Sequence, residues 1–76
     1  MSNRAEFIAK NIKPGDIMIE KNHPTQGKSH TGIVVKVYSD GSFDTVEGNS
    51  GNAVKKNHHK ANSLTLSGFV TLDKFS

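Results

Sequence analysis

The chain is 76 residues long with a formal net charge of +3, and it contains no cysteine and no tryptophan. That length makes one small domain or part of one, whose core buries only about 60% of the unfolded surface, and no disulfide can reinforce it. No apolar run approaches the ~18 residues of a membrane span; the longest aliphatic run is Ile33-Val34-Val35.

The first expected element is a helix over 3–12, with Asn3 as N-cap and Glu6 closing a capping box. Ala5, Ile8, Ala9 and Ile12 follow helical spacing and form one apolar face to lay against a sheet. Pro14 and Gly15 end it. A short strand over 16–20 follows, then a loop over 21–29 rich in Asn, Pro, Gln and Gly. The central feature is a hairpin, with a β-branched strand over 30–38, a turn at Ser39-Asp40-Gly41-Ser42 and an alternating strand over 43–49. A second turn at 49–52 leads to a strand over 53–59. The closing strand, 64–72, turns Leu64, Leu66, Val70 and Leu72 inward, with Gly68 marking a bulge or bend. The expected fold is α+β and mostly β. One N-terminal helix precedes about five short antiparallel strands in a curved, barrel-like sheet, the whole forming a single small domain over 1–76 with its sheet region at 16–72.

Asp40 and Gly41 as the two central turn residues set the hairpin register. Tyr38 then faces Phe43, Val35 faces Val46, Val34 faces Glu47 and Gly32 faces Asn49. Because side chains alternate along a strand, His30, Gly32 and Val34 share a face with Glu47 and Asn49. His30 and Asn49 are diagonal neighbours about 7–8 Å apart, Gly32 leaves space between them, and Glu47 sits one step further. A histidine serving as general base needs a polar group on its second ring nitrogen, and Asn49 or Glu47 fits that need. The competing reading is a polar hairpin face that points to water. A one-residue slip would move the whole set to opposite faces.

Taken in order, these motifs resemble the CHAP family, a branch of the NlpC/P60-like, papain-fold peptidoglycan amidases and endopeptidases. Pro14-Gly15-Asp16-Ile17 resembles the family's "PGD" entry to the sheet. His30-Thr31-Gly32-Ile33-Val34 resembles its histidine strand, and Glu47-Gly48-Asn49 its "E-G-N" strand end. The turn at Ser50-Gly51-Asn52 and the strand at Gly68-Phe69-Val70 continue the likeness, which covers about residues 13–72. The resemblance implies that His30 deprotonates a thiol while Glu47 and Asn49 hold its ring, and that the bond attacked is an amide in peptidoglycan. It also implies a cysteine on a helix upstream of the "PGD" strand. No cysteine is present, and Ser2 stands too near the end to replace it. The acidic calcium loop that some members carry near the cysteine is missing too. The expectation is therefore a β-half with His30, Glu47 and Asn49 but no nucleophile, inactive alone. It would be a fragment, a split gene product or a degenerate copy, served by a Cys-bearing partner segment or chain.

Two other functions compete with this one. A non-catalytic module of the same architecture would bind peptidoglycan or another anionic wall polymer, which the positive charge suits. A small β-barrel can also bind nucleic acid, but stacking recognition wants surface aromatics. Tyr38 and Phe43 form the only obvious pair and read as a packing contact. The basic stretch Lys55-Lys56-Asn57-His58-His59-Lys60 reads as a solvated loop or edge strand. His58 and His59 point to opposite faces of a strand and do not chelate together, and His23 lies in a loop. The histidines read as solvated, with no metal or cofactor expected. An exposed sheet face favours a homodimer. The polar start Met1-Ser2-Asn3-Arg4-Ala5-Glu6 has no signal-peptide core, as in phage lysins and bacterial autolysins that stay cytoplasmic until lysis or act at the wall.

Overall fold

The computed structural model describes residues 2–21, 29–48 and 54–71. Helix α1 (Asn3–Asn11) starts one residue earlier than its sequence signature suggests, because Ser2 is the cap. Its backbone is extended and its Oγ accepts from the Ala5 N–H at 3.1 Å. Serine satisfies an orphan helical N–H as well as asparagine does. With Ser2 as cap, Glu6 closes no capping box with Asn3 and sits in the first turn, where its charge suits the helix dipole. Ala5, Ile8 and Ile12 are buried, while Ala9 at the stripe's margin is half-buried.

The chain then reverses through Lys13-Pro14-Gly15-Asp16. The Asp16 N–H bonds to the Lys13 carbonyl at 3.1 Å, and Gly15 has φ +101°. Proline second and a positive-φ glycine third make a type II turn. The buried Asp16 carboxylate locks it by accepting from the Lys13 N–H at 2.9 Å. The "PGD" motif is thus a hinge that sets α1 against the sheet.

Five strands follow: β1 (Ile17–Glu20), β2 (His30–Val37), β3 (Phe43–Gly48), β4 (Val54–His59) and β5 (Leu66–Val70). They form one antiparallel sheet in the order β4-β3-β2-β1-β5. The mostly β, α+β class holds, but β4 and β5 remain edges, so the sheet is open rather than barrel-like. It curls strongly. Phe43 on β3 meets Phe69 on β5 with ring centroids 5.3 Å apart, although two strands lie between them. Helix α1 fills one end of the concave face, where Ala5, Ile8, Ile12, Met18, Val34, Phe43, Ala61 and Leu66 form the core.

The hairpin register differs from the two-residue turn in an instructive way. Gly41 N–H bonds to the Tyr38 carbonyl at 3.0 Å, Tyr38 N–H bonds to Ser42 at 2.9 Å, and Gly41 has φ +88°. The loop is Ser39-Asp40-Gly41, a turn closed by a left-handed glycine. This slips the pairing by one, so Val37 faces Phe43 and Lys36 faces Asp44. The pairing between Val34 and Lys36 slips once more, leaving Val35 as the extra residue of a bulge. Val34 therefore faces Thr45, not Glu47, and Ile33 faces Val46. Two slips restore parity, so the set of residues on the concave face is kept. The expected Tyr38–Phe43 pair is replaced by Val37 opposite Phe43.

The closing strand departs further. Ile19 pairs with Gly68 but Glu20 with Leu66, so Ser67 is the bulged residue, next to the glycine that signals it. The bulge reverses parity within β5, so Leu66 and Phe69 turn inward while Val70 turns out. Leu64 precedes the strand and is fully exposed. Leu72, Ala53, the 49–52 turn, most of the 21–29 loop with His23, and Asn49 lie outside the described residues. Among the described residues no helix is long and apolar enough to cross a membrane.

A buried histidine–carboxylate cluster

The end of the concave face not filled by α1 is polar. β1 places Met18 and Glu20 on this face, and Glu20 pairs with His30 across the ladder. β2 contributes His30 and Gly32, β3 contributes Thr45 and Glu47, and β4 contributes His59, which faces Phe43 and stacks on its ring at 5.3 Å. Glu20, Thr45 and Glu47 are all buried.

Glu47 is the hub. His30 Nε2 donates to its Oε1 at 2.7 Å, and His59 Nε2 donates to its Oε2 at 2.7 Å. The Thr45 hydroxyl also donates to Oε2 and lies 3.0 Å from His59 Nε2. Burial works to raise the Glu47 carboxyl, but hydrogen bonds from Thr45, His59 and His30 outweigh it and hold the group below the ordinary glutamate value. Glu47 is thus kept as a carboxylate inside the fold. Gly32 makes room for it: a Cβ there would sit 2.6 Å from Glu47 Cγ and 3.2 Å from Thr45 Cβ. The space that Gly32 leaves is filled by the carboxylate arm, which reaches back to His30.

Glu20 is the second carboxylate. Its Oε2 accepts from Thr65 Oγ1 at 2.7 Å and lies 4.0 Å from His59 Nδ1. Its Oε1 is buried with no hydrogen-bond partner among the described residues.

Of the sequence-derived site residues, the fold joins His30 and Glu47 directly, while Asn49 lies outside the described residues. Glu20, Thr45 and His59 went unselected. Alternation with Met18 in Ile17-Met18-Ile19-Glu20 turns Glu20 inward, and that signal was readable. His58 and His59 do point to opposite faces, but His59 is not solvated: its side chain is 14% exposed, against 51% for His58. Sheet curl, which no local pattern encodes, brings His59 to Glu20.

On the convex face, Asp44 accepts from Tyr38 Oη and from His58 Nδ1, each at 2.7 Å, with Lys56 Nζ at 3.8 Å. Hydrogen bonds from Tyr38 and His58 lower the Asp44 carboxyl, and the same bond to Asp44 raises the Tyr38 phenol. A pocket of about 420 Å³ lies near the start of α1, lined among others by Ser2, Asp40, Ser42 and His58. None of the concave-face cluster lines it. No family model, curated protein or solved structure matches the chain.

Proposed function

We propose that this chain supplies the base-bearing half of a thiol-dependent peptidoglycan amidase or endopeptidase of the CHAP type. One observation carries the reading: the part-buried His30 Nε2–Glu47 Oε1 hydrogen bond of 2.7 Å, held in a slot that only a glycine at position 32 leaves open. A carboxylate on Nε2 orients the imidazole and stabilises the imidazolium that forms. His30 takes the proton of a cysteine thiol brought by another segment or chain. The thiolate attacks the amide carbonyl, the imidazolium returns the proton to the departing amine, and water, deprotonated by His30, hydrolyses the thioester. Without a cysteine the chain performs none of these steps alone. The net charge of +3 suits retention on an anionic wall.

The test incubates the purified chain with peptidoglycan sacculi, alone and with a cysteine-bearing papain-fold N-terminal half, and measures bound protein and newly freed amines. Amine release that needs both halves, and is lost in His30→Ala and Glu47→Gln, supports the reading. Wall binding without release in any mixture favours the binding module instead. Neither binding nor release removes peptidoglycan as the substrate.

A further inference from the structure

The geometry points to a divalent metal site of the zinc class formed by Glu20, Glu47 and His59. Each offers a ligand atom, and these atoms all lie within 4.8 Å of one another. They come from three strands, β1, β3 and β4, that only the curl of the sheet brings together.

Two further observations set this group apart from a simple internal hydrogen-bond network. Glu20 is 4% exposed, yet its Oε1 has no hydrogen-bond partner among the described residues. A buried carboxylate oxygen left so is costly, and a cation answers it. Neither Glu20 nor Glu47 is paired with a lysine or arginine among the described residues; the ring nitrogens beside them are those of His30 and His59. Because His59 Nε2 donates to Glu47, its other nitrogen, Nδ1, faces Glu20 Oε2 at 4.0 Å. A bound ion would take the place of the proton between His59 Nε2 and Glu47 Oε2, with Glu20 as the third ligand.

The donor set selects the metal. One imidazole with two carboxylates suits zinc and its first-row neighbours, whereas calcium wants six to eight oxygens. Zinc bonds of about 2.0–2.2 Å place tetrahedral ligand atoms about 3.3–3.6 Å apart. The three ligand atoms, within 4.8 Å of one another, therefore draw together by up to about 1.5 Å on binding. Thr65 at Glu20, and His30 and Thr45 at Glu47, hold the carboxylates in place.

This inference does not depend on the peptidoglycan reading, and its test uses no cell wall. The chain is stripped with a chelator and titrated with zinc by calorimetry, then with cobalt(II) as a visible-absorption probe. One equivalent should bind, and cobalt should give the absorption of a four- or five-coordinate nitrogen–oxygen site. Glu20→Gln and His59→Asn should each weaken zinc by about 10- to 100-fold or more, while His58→Asn leaves it unchanged. Far-UV circular dichroism checks each fold. If Glu20→Gln fails to fold, His59→Asn and the cobalt spectrum of the unaltered chain decide. Absence of a saturable single site, a cobalt spectrum of the hexa-aqua ion, or binding that His59→Asn leaves intact would overturn the assignment.

Discussion

His58 and His59 are chain neighbours on β4, and each donates to a carboxylate of β3 across 2.7 Å, His58 to Asp44 and His59 to Glu47. By distance and chemistry the two pairs are alike, but they lie on opposite faces of one sheet. On the convex face Asp44 answers a half-exposed histidine, a tyrosine and a lysine. Asp44 is itself buried, but His58 and Lys56 are open to water, which competes for both partners and weakens the pairs. On the concave face Glu47 is 5% exposed and gathers His30, His59 and Thr45, with Glu20 behind them. Identical contacts thus have different consequences, because His59 is shielded from the water that reaches His58.

Removing the two carboxylates in turn tests that difference most directly. Glu47→Ala removes the carboxylate that His30, His59 and Thr45 share, and breaking a buried network of this kind costs about 3–5 kcal/mol. Asp44→Ala leaves groups that water can serve, so its loss should be a small fraction of that. Urea unfolding of both variants measures the ratio, and equal losses would dissolve the distinction between the faces.

Filling the inner slot is the next largest effect. The Cβ of Gly32→Ala meets Glu47 Cγ at 2.6 Å, so the carboxylate arm must shift or the sheet must open. Overpacking of this order costs about 1–3 kcal/mol. Gly48→Ala, where a Cβ meets nothing within 4 Å, is the matched control and should be nearly neutral. In Gly32→Ala the His30 ring resonances should also move, since its partner has been displaced. Unchanged His30 signals would mean that Glu47 does not depend on the glycine.

How much of this was readable from residues follows the same division between local and non-local information. The helix, the five strands and the shared face of His30 and Glu47 rest on local periodicity. The register was misjudged twice, at the Ser39-Asp40-Gly41 loop and at the Val35 bulge, and the errors cancelled in parity. Alternation is therefore a sturdier guide to which residues share a face than to which residues touch. The Ser67 bulge had no such compensation: Leu66 turns inward as expected, but the inward place expected for Val70 went to Phe69, and Leu64 lies exposed before the strand. His59 and Glu20 meet through the curl of the whole sheet, and no window of sequence carries that.

A smaller effect separates the faces by pH. Hydrogen bonds from Tyr38 and His58 hold the Asp44 carboxyl below its ordinary value of 3.8. A carboxyl with a lowered folded pKa contributes stability above its unfolded value and loses it as pH falls through the folded one. Asp44 should therefore add a stabilising increment that is complete by neutral pH and fades only below about pH 4. Asp44→Asn should flatten that part of the stability curve. An acid limb unaltered in this variant would place the titration elsewhere.

The smallest effect is the cleanest to read. Tyr38 is the single tyrosine of a chain without tryptophan, so phenolate absorbance reports that residue alone. Its hydroxyl donates to Asp44, and ionising it would break that bond and set an anion beside a carboxylate, so its pKa lies above the ordinary 10.0. In the sign of linkage, a phenol with a raised folded pKa stabilises the fold below its unfolded value and ceases to do so as pH rises through the folded one. Alkaline titration should therefore show a midpoint above that of the unfolded chain, and Asp44→Asn should bring it back down. Glu47→Gln, acting on the other face, should leave it where it is. A Tyr38 midpoint that moved with Glu47 would mean that the two faces are coupled through β3, and that the contrast between His58 and His59 is one of degree within a single network.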